Sequence, residues 1–173
     1  MNIEQIENQA ETILKNNNCS TVPVNIKGLA INLGIKLEEI DFDDDISGLF
    51  VIKKNQPYIC YNSTQSESRI RFTIAHELGH FILHSKNTPL FIDKKKKILF
   101  RDINSSTGEV LIEREANAFA AALLMPKALI ENEVDSMLAN EEDTIQYLAD
   151  KFSVSTQAMS FRLSNLGYDF GMF

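Results

Sequence analysis

The sequence predicts an α+β fold, a domain over residues 1–135 with a short helical extension, 136–173, packed on it. Three observations carry this. Extended segments are confined to one block between residues 35 and 62, while helical periodicity fills both flanks. A 173-residue chain with 44% hydrophobic residues can bury one core. No internal repeat or long linker divides it.

Residues 2–17 have Ile3, Ile6, Ala10, Ile13 and Leu14 at helical spacing, which predicts an amphipathic helix with those five on its inner face. "VPVNIKGLAINLGIKL" repeats the pattern at Ile26, Leu29, Ala30 and Leu33, with Gly34 placed to cap the helix. "IKLEEI" is extended. "DFDDDISG" is an acidic turn, not an EF-hand loop, because the twelfth position from Asp41 is Ile52 where a glutamate is required. "LFVIKK" and "QPYICYN", joined at Lys54-Asn55, form a β-hairpin. Ser66 or Ser68 caps the next helix. Residues 85–110 read as a less regular insertion with a solvated lysine run, Lys94 to Lys97. "GEVLIEREANAFAAALLMP" is a helix stopped by Pro126, and "KALIENEVDSML" a shorter one.

No window reaches the length of a membrane-spanning helix, and the acidic-polar N-terminus is unlike a signal peptide, so a cytoplasmic location is expected. Cys19 and Cys60 are far apart and fit free thiols. A net charge of −7 argues against direct binding of nucleic acid over the whole surface.

The chemistry is concentrated in "RFTIAHELGHFILH". It holds all three histidines of the chain, His76, His80 and His84, and "HELGH" fits H-E-x-x-H. On a helix, residues four apart point the same way, so His76 and His80 can grip one metal ion. Glu77 lies on the shoulder of that face, where it can take a proton from an activated water. Zinc suits neutral imidazole and lowers the pKa of a water it holds towards ~7. The bland alternative, a core helix with hydrogen-bonded histidines and no metal, does not account easily for this spacing.

A catalytic zinc takes a third protein ligand. His84 is a poor one, because i, i+4 and i+8 span about 12 Å of helix axis. It reads as a supporting or surface residue. On "EREANAFAAALLMP", Glu113 and Asn117 share a face with Ala116 and Ala120, whose small side chains permit a close helix crossing. Glu113 can ligate the metal and Asn117 can hydrogen-bond a ligand imidazole. Glu115, rotated to the opposite side, is the rival.

Together these two segments resemble the ImmA/IrrE-type metallopeptidases of bacteria, phages and integrative elements. The upstream "VPVNIKGLAINLGIKL" and "ISGLFVIKKNQPYICYN" extend the resemblance over residues 20–130. It implies a thermolysin-like zincin core, with a small antiparallel or mixed sheet packed on two ligand-bearing helices. It also implies Zn2+ on His76, His80 and Glu113, with Glu77 as general base. The partner it implies is a transcription repressor or antitoxin-like regulator that the protease cuts. The strand ending at Cys60, Tyr61 and Asn62 is expected to pair with substrate as an edge strand.

The tail, "LADKFSVSTQAMSFRL", has helix-turn-helix rhythm, with Ala149 inside, a turn near Ser153 and Ser155 as a cap. In a DNA-reading role Thr156, Gln157, Ser160 and Arg162 would face the duplex. The scarcity of positive charge favours packing or partner binding instead. The sequence therefore reads as a zinc endopeptidase. The alternative is a non-proteolytic metal-binding regulator that binds DNA or a repressor through its C-terminal helices.

Overall fold

The computed structural model describes residues 1–42, 46–85, 90–94, 103–135 and 141–168. Its elements are α1 (Ile3–Asn16), α2 (Ile26–Asn32), β1 (Lys36–Ile40), β2 (Ile46–Lys53), β3 (Gln56–Asn62), α3 (Glu67–Gly79), β4 (Leu90–Lys94), α4 (Ile103–Leu124), α5 (Lys127–Asp135), α6 (Glu141–Phe152) and α7 (Thr156–Asn165). A π-helical turn, His80–His84, continues α3 directly. Mixed α and β structure is thus present. None of the described helices is long and apolar enough to cross a membrane.

The four strands form one sheet in the order β1-β3-β2-β4. β2 and β3 are the expected hairpin, and Lys54 and Asn55 at its tip both have positive φ, 52° and 61°. Two such residues in succession match the right-handed twist of the flanking strands. β1 lies parallel to β3 on its other side. β3 is therefore an interior strand, which corrects the edge-strand expectation for Cys60, Tyr61 and Asn62. Its backbone groups are shared between two neighbours, so it has no free side to offer a peptide. Asn62 instead closes a turn. Its buried amide donates to the carbonyls of Phe42 and Ile46 at 3.2 and 3.1 Å and accepts from Thr64.

Local capping follows the sequence. Asn2 and Gln5 form a reciprocal capping box on α1, Ser66 caps α3 and Ser155 caps α7. Gly34, at φ +78°, takes the left-handed position after α2. The helix carrying Glu113 begins at Ile103, five residues before Gly108, and β4 occupies part of the stretch expected to be irregular. Lys95 to Lys97 and the acidic residues 43–45 lie outside the described residues.

One hydrophobic core runs through the molecule. Phe50 and Ile59 of the sheet, Ile74 and Leu78 of α3, Phe119 and Leu123 of α4, Phe152 of α6 and Leu163 of α7 all belong to it. Each fully buried side chain of this size contributes roughly 1.5–3 kcal/mol. The inner face of α1 is narrower than its sequence suggests. Ile6, Ala10 and Leu14 are buried, but Ile3 is 67% exposed.

Two buried arginines tie the C-terminal helices in. Arg71 of α3 donates to the carbonyls of Ser153, Phe152 and Val24. Arg162 of α7 donates to the Met125 carbonyl at 2.9 Å and grips Glu7 of α1 through both terminal nitrogens. This fits the packing role preferred for the tail rather than the DNA-reading one in which Arg162 would face the duplex, because its guanidinium is spent inside the fold. Thr156 and Gln157 are exposed. Arg162→Ala should cost about 1.5–3 kcal/mol, the usual worth of hydrogen bonds to a charged group. Urea unfolding would read this, and an unchanged midpoint would show that the clasp adds nothing.

Candidate metal centre

Three side chains from two helices converge on one point. His76 Nε2 lies 3.0 Å from His80 Nε2, with Glu113 Oε2 3.3 Å from the first and Glu113 Oε1 3.4 Å from the second. Donor atoms of this set all fall within 4.8 Å of one another, the only such group of three among the described residues. Two imidazole nitrogens and a carboxylate are the donors a zinc-type ion takes, so the residues present fit a metal.

The electrostatics agree. Burial pushes His80 below the ordinary histidine range, so it is neutral and can offer its lone pair. Burial alone would raise the Glu113 carboxyl. Its contacts with His76 and His80 outweigh that and hold the group well below the usual carboxylate range.

Support comes from α4. His76 Nδ1 lies 3.0 Å from Asn117 Oδ1, an acceptor that matches the tautomer with its proton on Nδ1, and Nε2 is turned to the cluster. Phe72 stacks against the same ring at a centroid distance of 6.2 Å. The sequence reading missed Phe72, although it precedes His76 by one helical turn.

Glu115 and His84 occupy a separate arrangement. Glu115 Oε2 accepts from His84 Nε2 at 2.9 Å, and Oε1 accepts from the Met1 amine. Both residues are buried, so His84 is not a surface residue, and neither reaches the three-donor cluster. The rivals for the third position are paired with each other.

Glycines set the distances. A Cβ on Gly79 would stand 3.0 Å from Ala116 Cα and 3.1 Å from its carbonyl oxygen. These are backbone atoms and cannot swing aside, so the close crossing of α3 and α4 depends on Gly79 as well as on the alanines. Gly48 on β2 does the same against Thr73 of α3, where an added Cβ would lie 2.3 Å from its methyl group and 3.0 Å from the Cys60 carbonyl, with Glu77 Cγ at an ordinary 3.7 Å. Glu77 is fully buried beneath it. Cys60 is no rival nucleophile, since burial, with Glu38 and Glu77 adding to it, pushes its thiol up to about 11.

Gly79→Ala should therefore separate the helices, cost about 1–3 kcal/mol of stability and weaken metal binding as Glu113 is drawn away. Calorimetric titration of the purified variant with zinc measures this. Wild-type affinity would mean that the crossing tolerates a methyl group.

A family profile, Peptidase_M78, described as the IrrE N-terminal-like domain, matches residues 30–164. The chain belongs to this family. The match makes it a member of a metallopeptidase family and runs through α6 and most of α7. A relative from Bacillus phage phi105, an "uncharacterized immunity region protein 2", is 32% identical over 122 residues, covering 70% of this chain and 68% of the relative. Among solved structures, a Mycobacterium tuberculosis transcriptional regulator shares the fold at a TM-score of 0.65 and 16% identity. The likeness covers 93% of this chain, which spans 46% of that longer protein.

Proposed function

We propose that this chain is a zinc-dependent endopeptidase with a thermolysin-like core that cleaves a DNA-binding repressor of a mobile element or stress response. The observation that carries the reading is the meeting of His76, His80 and Glu113 beside a buried Glu77. The family match supports metallopeptidase chemistry, and the relative named for a phage immunity region supports a regulatory partner.

In this reading His76, His80 and Glu113 hold the ion. Bound there, zinc supplies Lewis acidity, polarising a peptide carbonyl and making a water easier to deprotonate. Glu77 would accept a proton from the attacking water and pass it to the departing amine. Its full burial keeps bulk solvent from competing for the carboxylate. Asn117 holds the tautomer of His76. The DNA-reading alternative loses its arginine, since Arg162 binds Glu7.

Incubation of the purified protein with zinc and candidate DNA-binding repressors tests the proposal. Discrete fragments should appear, vanish with a chelator and return when zinc is restored. An intact repressor in every lane would refute the reading.

A further inference from the structure

The side of α3 that meets β2 carries a polar row where packing calls for apolar side chains. Arg69, Thr73 and Glu77 follow one another at four-residue spacing, so they lie along one side of the helix. α3 packs on β2 and β3, and Thr73 and Glu77 are both fully buried. Buried polar side chains carry a desolvation cost that a hydrogen bond must offset. For Arg69 the offset is visible, since it donates to the Ser47 hydroxyl at 2.8 Å. For Thr73 it is not: its Oγ1 is buried and has no hydrogen-bond partner among the described residues.

β2 is shaped at this point. Its register against β4 shifts between Ile46 and Gly48, and Ser47, between them, turns a fully buried hydroxyl to α3. A bulge re-aims a side chain in this way. Gly48 then lets the helix come close, because a Cβ there would run into the Thr73 methyl group and touch Glu77 Cγ. One residue of β2 thus stands over both side chains, which makes Thr73 and Glu77 neighbours in the same buried space.

Helix geometry sets how they face. A long side chain on a helix leans back over the preceding turn, and the residue on that turn below Glu77 is Thr73. Thr73 therefore brings a hydroxyl proton, claimed by none of the described residues, to the side chain that the proposed chemistry uses as base. A carboxylate has two oxygens. A donor held on one of them stops the group rotating and leaves the other to take a proton from water. The competing role is local, because a helical threonine can bond back to the carbonyl four residues earlier, here that of Arg69. Thr73 makes no such bond.

We propose that Thr73 is a positioning residue, whose hydroxyl donates to the Glu77 carboxylate and fixes the base beside the metal centre. Closing this contact takes side-chain torsions alone, since the helix already holds the two residues one turn apart. The inference rests on the reading of Glu77 as the general base of a peptidase.

Thr73→Val is nearly isosteric and deletes the hydroxyl, while Thr73→Ser keeps it. Urea unfolding of the metal-free full-length protein is measured for Thr73→Val with Glu77 in place and again with Glu77→Gln, a double-mutant cycle that needs neither metal nor substrate. The midpoint should fall on Thr73→Val when Glu77 is present. It should fall by about half as much or less beside the amide, because a charged acceptor makes the stronger hydrogen bond. In zinc-loaded protein, kcat for repressor cleavage should drop roughly 10- to 100-fold on Thr73→Val, with KM and zinc affinity within a few-fold of wild type. Thr73→Ser should restore most of that rate. A midpoint that rises on Thr73→Val, the result for a buried hydroxyl that holds nothing, overturns the proposal. So does an equal shift in both backgrounds, or an unchanged kcat. If Thr73→Val does not fold, Thr73→Ser against Thr73→Ala, which differ only by the hydroxyl, replaces it in the cycle. Absence of cleavage by wild type with zinc refutes the peptidase reading, while the cycle still decides the hydrogen bond.

Discussion

Glu77→Gln should retain the metal and lose roughly 100- to 10,000-fold in turnover, the range that a positioned general base supplies. The amide is nearly isosteric with the carboxylate but cannot accept a proton. The site is unforgiving of changes in bulk, because Glu77 is fully buried with β2 passing over it at Gly48. Retention of metal follows from geometry, since the three converging donors are His76, His80 and Glu113. The measurement pairs metal stoichiometry with single-turnover cleavage of the repressor. Turnover within a few-fold of wild type would remove Glu77 from the proton path. Loss of metal together with turnover would mean that its charge is needed to hold the ion, a different role.

The histidine half of the candidate site was legible because its geometry is local. His76 and His80 are one helical turn apart, and the helix places them together whatever surrounds it. Glu113 and Asn117 required a second inference, that small residues at Ala116 and Ala120 mark the crossing face. The crossing does use Ala116, but the partner backbone is opened by Gly79, in the middle of the histidine motif itself. What escaped was non-local. The hairpin is visible as two strands and a tight turn, yet nothing in "IKLEEI" states that β1 will pair parallel to β3 and make it interior. Arg162 looks like a surface cation by composition. Only the arrival of Glu7, 155 positions away in the chain, makes it a buried clasp. Ile3 fails the opposite way, having the helical spacing of a core residue but lying at the rim of a groove that several elements build.

Glu113→Ala should lower zinc affinity by more than the roughly 10- to 100-fold that losing a supporting hydrogen bond costs, and Asn117→Ala should fall within that range. Glu113 places one carboxylate oxygen 3.3 Å from the His76 nitrogen and the other 3.4 Å from that of His80, so its removal leaves two ligands. An ion held by two side chains is not closed against solvent exchange. Asn117 touches only the far nitrogen of His76, and its loss frees the ring to rotate without deleting a donor. Glu115→Ala and His84→Ala are the controls. They break a buried pair and should lower the unfolding midpoint, since each leaves a polar partner behind. Neither removes a donor from the cluster, so zinc affinity should stay within a few-fold of wild type. Competition against a chromogenic chelator, run on all four variants, orders them. If Glu113→Ala binds zinc normally while Glu115→Ala or His84→Ala does not, the ion sits on the other pair. α4 would then have to turn by about half a rotation on α3 to bring Glu115 in, which the Gly79–Ala116 contact does not allow without parting the helices.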